Sequence, residues 1–232
     1  MRNLYKLALF MLPGVLFCIA RGEEKPWQDS FNLDEQNLGP TGKNPYFILE
    51  PGYQLVCQGE EEGEDTVITI TVLNETKKIG NVETSVVEER ETEDGELSAI
   101  TKHYYAVDKT TNSVYYFGAD VDVYEDGKVA GHKGSWRAGA NGAKYGLMMP
   151  GAPQAGDRYC QQTAPGAAMD RAEVEDLSET VKTPAGEFKN CLKIKETSAL
   201  DPAEKSYRYY AADIGLVRDG ELKLIKHGQT KK

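Results

Sequence analysis

Along the first half of the chain, apolar and polar positions alternate with a period of two. Val67, Ile68, Ile70 and Val72 run against Thr69 and Thr71, β-branched throughout. Val82, Val86 and Val87 follow a Gly80-Asn81 break. Asp94-Gly95 is the strongest short hairpin signal in the sequence. Residues 97–107 predict a strand that closes on a Thr111-Asn112 turn. Residues 114–117, then Val121 and Val123, continue the pattern to a second turn at Asp126-Gly127. No window in this half carries the 3.6-residue apolar stripe of a helix. The prediction is an antiparallel β-meander.

The pattern returns after residue 156. Cys57-Gln58 is echoed by Cys160-Gln161, and Gly80-Asn81-Val82 by Gly186-Glu187-Phe188. Asn74-Glu75-Thr76 is echoed by Ser178-Glu179-Thr180, and Glu91-Thr92 by Glu196-Thr197. The run from Tyr104 to Asp108 recurs from Tyr209 to Asp213. Any two meanders share turn residues and alternation, but these matches stay in order at a nearly constant offset. That self-similarity points to a duplicated unit, residues 51–117 and 155–222. Neither meander can bury a face alone. The expected fold is all-β, two similar repeats forming a curved open sheet or half-barrel, or else a sandwich. The connecting stretch 118–156 is glycine-rich and has no counterpart in either repeat.

The chain ends modify this picture. Arg2 and Lys6 precede an apolar run at residues 7–19, and Ala20 and Gly22 are small, so residues 1–22 read as a secretory signal peptide. Residues 23–45 read as a flexible polar leader, with Trp27, Phe31 and Leu33 able to dock it. Residues 46–232 then form one β domain. The full chain carries 37 acidic and 27 basic side chains, and the signal takes Arg2, Lys6 and Arg21 with it. The acidic excess left behind argues against nucleic acid and anionic membrane surfaces as partners. No stable membrane span is expected in the mature chain, and localisation is expected to be exported, periplasmic or extracellular. Cys57, Cys160 and Cys191 remain after processing, an odd number, with no CxxC among them. The expectation is that they form no disulfide.

Candidate chemistry is sparse. Asp120, Asp122, Glu125 and Asp126 invite a calcium reading, but Tyr124 and Glu125 stand where a calcium loop needs a ligand and a glycine. The five carboxylates between Gly59 and Asp65 read as a solvated hairpin loop. Gly134-Ser135-Trp136 makes no nucleophile elbow. No catalytic residue, metal ligand or cofactor is therefore expected. The binding candidates are Trp136, Arg137, Tyr145, Met148, Met149 and Tyr124, an adaptable apolar and aromatic set in or beside glycine-rich backbone. The alternative for Trp136 and the methionines is a plug in the core of the curved sheet.

The motifs Asn44-Pro45-Tyr46-Phe47, the run from Tyr116 to Asp122, and the run from Gly134 to Gly139 followed by Gly142-Ala143-Lys144 and Met149-Pro150 carry a resemblance. The chain resembles a family of exported bacterial proteins of unassigned function. The resemblance covers nearly all of the mature chain. It implies bacterial origin and export, and no reaction. By looser fold analogy, repeated long hairpins in an exported chain resemble the half-barrels of lipoprotein carriers. The leading expectation is a non-catalytic envelope or periplasmic binding protein for an apolar small molecule, a lipid or a peptide-like ligand. One alternative is a hydrolase using Asp120, Asp122 or Asp170. Another is a structural protein-interaction domain.

Overall fold

Alternation of the kind seen around Ile68 and Ile70 extends through most of the chain, and the strands it builds are long. The structure, a computed structural model, describes residues 25–201, 203 and 205–230. The signal expected at residues 1–22 lies outside the described residues. Strand accounts for 64% of the described residues, and none of them is α-helical. A single 3-10 turn, Glu35–Asn37, leads into β1 (Leu38–Gly39). A meander follows: β2 (Tyr53–Glu61), β3 (Glu64–Ile79), β4 (Val82–Glu93), β5 (Glu96–Asp108) and β6 (Val114–Glu125). The short strands β7 (Lys128–Gly131), β8 (Trp136–Arg137) and β9 (Lys144–Met149) all pair back onto β6. Next come β10 (Arg158–Cys160), β11 (Gln162–Thr163), β12 (Asp170–Thr183) and β13 (Gly186–Ser198). The last strands are β14 (Lys205–Ala211), β15 (Gly215–Asp219) and β16 (Leu222–Gln229).

The strand pairs are antiparallel and follow one path, from β10 and β12 through β16 and β2 to β9 and β11, with β1 added to β5 and β7 and β8 added to β6 beside it. The two meanders are joined where β16 lies against β2, with Leu224 opposite Cys57 and Gly228 opposite Gln54. The two ends of the path are neighbours in sequence. Residues 158–160 pair with β12, and residues 162–163 pair with β9. One short segment thus stitches both sheet ends, with Gln161 at the crossing, where its N–H donates to the Asp170 carbonyl at 2.9 Å. The sheet is nearly closed and barrel-like, with one seam. This bears out the all-β, antiparallel expectation, and of the two arrangements expected it is the single curved sheet rather than the sandwich.

Local chemistry explains the turns and the curvature. Asp94 and Gly95 have φ of 48° and 84°, and Asp126 and Gly127 have 49° and 70°, the left-handed pairs of tight hairpins. Register shifts between Val72 and Thr76 and between Tyr104 and Tyr105 bend the long strands, which closure requires. Gly118, with φ of 144°, lets β8 approach: a Cβ there would lie 2.5 Å from the Trp136 carbonyl oxygen. Gly146 does the same for the seam, where a Cβ would meet the Gln161 and Cys160 carbonyl oxygens, the latter at 2.5 Å.

Residues 25–45 are docked along their length. The Trp27 ring lies beneath the Arg158 guanidinium at 4.3 Å and near Arg171 at 5.6 Å. Gln28 pairs in parallel with Tyr159, so the arm adds its backbone to the seam. Phe31 meets the Tyr115 ring edge-on, and its carbonyl accepts from the Tyr145 hydroxyl at 3.0 Å. Buried Asn44 donates to the Asn112 and Pro150 carbonyls at 2.9 and 3.0 Å. The main core lies under β4–β6 and β9, and a smaller cluster around Val181, Cys191, Val217 and Leu224 closes the other side.

A side chain at Gly146 would drive the seam backbone away from β9. Gly146→Ala is expected to cost about 2 kcal/mol, within the usual range for overpacking. Urea unfolding checks this against Gly131→Ala, where a Cβ meets nothing within 4 Å. Equal stability of the two variants would show that the seam is not tightly closed.

Candidate functional site: a cavity inside the barrel

The pleat that makes the sheet also decides what faces its interior. On β3 the inward set is Ile68, Ile70 and Val72, and on β2 it is Leu55 and Cys57, which stand opposite Ile70 and Ile68. On β4 the same phase gives Val87 and then Glu89, opposite Val72 and Ile70. On β5 it gives His103 and Tyr105, and on β6 Tyr116, paired with Tyr105. From the second meander come Glu196 on β13, Arg208 and Tyr210 on β14, and Asp219 on β15. These side chains enclose a cavity of about 210 Å³. For comparison, a dry cavity of about 150 Å³ accommodates benzene.

The wall is divided by chemistry. Leu55, Ile68, Ile70, Val72, Val87 and Leu216 make an apolar side. Facing it is a polar network centred on Arg208. Its Nε lies 2.8 Å from Asp219 Oδ2 and 3.2 Å from Glu196 Oε2. Gln161, on the seam, donates to Glu196 Oε1 at 2.7 Å, and its neighbour Gln162 donates to Asp170. Arg208 lines the cavity and keeps 33% of its side-chain surface open. Desolvation alone would weaken its charge, but Asp219 and Glu196 outweigh it and hold the guanidinium firmly protonated. Glu196 is pushed up by burial, more than Arg208 and the Gln161 hydrogen bond pull it down.

The aromatic side joins these halves. The Tyr105 and Tyr116 rings stack at 4.8 Å, and Phe47 meets Tyr105 edge-on at 4.9 Å. His103 Nδ1 shares a 2.6 Å hydrogen bond with the Tyr116 hydroxyl. Its Nε2 is buried without a hydrogen-bond partner, and the nearest carboxylate oxygen, on Glu89, is 3.8 Å away. Burial pulls the imidazole below its ordinary value, more than Glu89 draws it up, so His103 is neutral at pH 7. Burial also pushes the Tyr105, Tyr116 and Tyr210 hydroxyls well up, which keeps them protonated and able to donate.

Of the six residues singled out by sequence, Met148 lines this cavity. Trp136 is buried one layer behind it, edge-on to Tyr116 at 5.2 Å, and Met149 is fully buried. Arg137 lies over the Tyr104 ring at 4.4 Å and pairs with Asp120. Tyr145 stacks on Phe117 at 5.2 Å and holds the N-terminal arm. Tyr124 sits near the end of β6, opposite Val129. The three carboxylates of the hydrolase alternative do not converge. Asp120 hydrogen-bonds Tyr104 and Asp122 pairs with His132 at 2.8 Å, both half exposed, whereas Asp170 lines the interior. Cys57, Cys160 and Cys191 are free and buried, and burial pushes the Cys57 thiol up to about 12. Sequence reasoning missed Glu89, His103, Glu196, Arg208 and Asp219. The available signal was phase: Glu89 stands two residues after Val87, and Glu196 two after Ile194, on faces that are otherwise apolar.

Beyond Glu89 on the same strand face stands Glu91, whose carboxyl is pushed up to about 7, first by burial and then by Glu89 and Glu93. The folded protein therefore holds this proton more tightly than the unfolded chain does. The stability it brings is complete below the unfolded value near 4.5 and is lost as pH rises through about 7. Glu91→Gln should match the parent protein near pH 4.5 and gain on it toward pH 8. The gain should be on the order of 1 kcal/mol, allowing for solvent screening of a half-buried group. Urea unfolding across that range checks it, and a difference independent of pH would refute it.

Comparison with known proteins adds little to this geometry. No family model and no curated protein matches the chain. The family suggested by the motifs around Trp136 is therefore not shown. Among solved structures, the chain is similar to a Parabacteroides distasonis protein provisionally named a lipoprotein. The two share 13% identity with a TM-score of 0.39, over 78% of this chain and 97% of the other. That likeness is too loose to assign either a shared fold or a shared ligand.

Proposed function

We propose that this chain is an exported, non-catalytic binding protein whose ligand occupies the barrel interior. The observation that carries the reading is the divided cavity: an apolar wall of Leu55, Ile68, Ile70, Val72, Val87 and Leu216 faces a polar network around Arg208. Small-molecule sites are largely apolar, with a few fixed polar groups that set orientation. The network fits that role. Asp219 and Glu196 anchor Arg208, and Gln161 anchors Glu196, so the polar side is held in place before a ligand arrives. The apolar run at residues 7–19 supports export. A partly apolar small molecule fits this cavity better than a folded partner or an extended lipid chain, given its volume of about 210 Å³.

Calorimetric titration with 2-phenylethanol tests the reading. A ligand of this size is expected to bind with Kd on the order of 1 mM. In a Trp27→Phe background, binding should also change the emission of Trp136, since its ring touches Tyr116 of the cavity wall. Ile70→Trp or Leu216→Trp, which fill the cavity, should abolish both signals while preserving the circular dichroism of the sheet. Absence of saturable binding by the parent protein, or unchanged binding in a folded filled variant, would overturn the proposal.

A further inference from the structure

We infer that the ligand is a small organic ammonium ion, its cationic head held by Glu89 and its apolar body laid along the Ile68 and Ile70 wall; this rests on the binding reading above. The cavity lining carries four carboxyl groups, Glu89, Asp170, Glu196 and Asp219, against one guanidinium, Arg208. The imidazole of His103 adds no positive charge at pH 7. The interior therefore has an acidic excess that a cation would balance.

The partners of each charge locate the cation. Arg208 is committed, with Asp219 at 2.8 Å and Glu196 at 3.2 Å. Asp170 accepts from Gln162. Glu89 is different. Among the described residues it accepts no side-chain hydrogen bond: Arg208, Tyr105 and Tyr116 feel its charge without bonding to it, and His103 Nε2, at 3.8 Å, is too far to do so. That nitrogen is itself a buried atom without a partner, so neither group satisfies the other. A carboxylate in the cavity wall without a hydrogen-bond donor is a place where a ligand that brings donors gains. Glu89 also keeps 31% of its side-chain surface open and lines the cavity, so a ligand can reach it.

The surroundings suit an ammonium group better than a neutral or anionic one. An ammonium brings both the missing hydrogen-bond donors and the missing charge. The stacked rings of Tyr105 and Tyr116 line the same cavity, and the field of Glu89 is felt at both hydroxyls. Aromatic faces near a desolvated cation add cation–π attraction. A carboxylate ligand would meet four carboxyl groups and a guanidinium already paired. A neutral ligand could donate a hydrogen bond to Glu89 but would leave its charge unbalanced.

Three probes of similar shape decide the matter by calorimetry at pH 7.5: 2-phenylethylammonium chloride, 2-phenylethanol and sodium 3-phenylpropionate. The ammonium ion is expected to bind at least tenfold more tightly than the alcohol, and the carboxylate more weakly than either. Glu89→Gln should remove the tenfold preference for the ammonium ion over the alcohol while preserving the circular dichroism of the sheet. If that variant does not fold, the three-probe ranking on the unaltered protein decides alone. Equal binding of ammonium ion and alcohol, tighter binding of the carboxylate, or an ammonium preference that survives Glu89→Gln would overturn the inference and leave the cavity reading standing. Binding by none of the three would overturn both.

Discussion

The closure of the sheet by residues 158–163 is the constraint on which the rest of this structure depends. A curved sheet with two free ends would expose two rows of unpaired backbone groups and leave its concave face to water. Here one segment offers its first half to β12 and its second half to β9, and both ends are satisfied at once. Gly146 makes this possible by letting the Gln161 and Cys160 carbonyls approach β9 without a side chain between them. The N-terminal arm reinforces the same line, because Gln28 pairs with Tyr159 and Trp27 lies against Arg158. Closure turns a set of inward side chains into a cavity, and it places Gln161 where its amide reaches Glu196.

Closure also sets the electrostatics. Burying Arg208, Asp219 and Glu196 together costs solvation that their attraction only partly returns, so the network is poor evidence for stability. It is better understood as a fixed polar surface. Removing one member would strand the others, and breaking such a buried pair typically costs about 3–5 kcal/mol. Apolar residues of similar volume could pack there instead, and the chain does not use them. A sequence that keeps charge inside a barrel whose remaining wall is apolar departs from local consistency at the place where function is expected to reside.

Much of this was legible in the sequence, and the limit has a physical cause. A period of two fixes strands and faces, and Asp94-Gly95 and Asp126-Gly127 fix turns, so the antiparallel all-β class follows directly from local chemistry. The site does not, because it is assembled from strands that are remote in the chain. Glu89 and Arg208 are 119 positions apart in the printed sequence and become neighbours only when β16 lies on β2. The glycine-rich stretch around Trp136 drew attention because it is locally unusual. Its tryptophan packs behind the cavity wall, and the glycines at 118 and 146 serve close backbone approach. Rarity of composition marked a difficult piece of folding, whereas the charged residues of the interior were hidden in ordinary alternation.

The pairing of β2 with β16 has a consequence for synthesis. Residues 53–61 find their second neighbour only in residues 222–229, so the contact spans almost the whole domain. Contacts of such separation form late, because a long loop must close before they repay its entropy. Until the last strand has been made, β2 therefore keeps one edge unpaired. During that interval the exposed edge can join another chain.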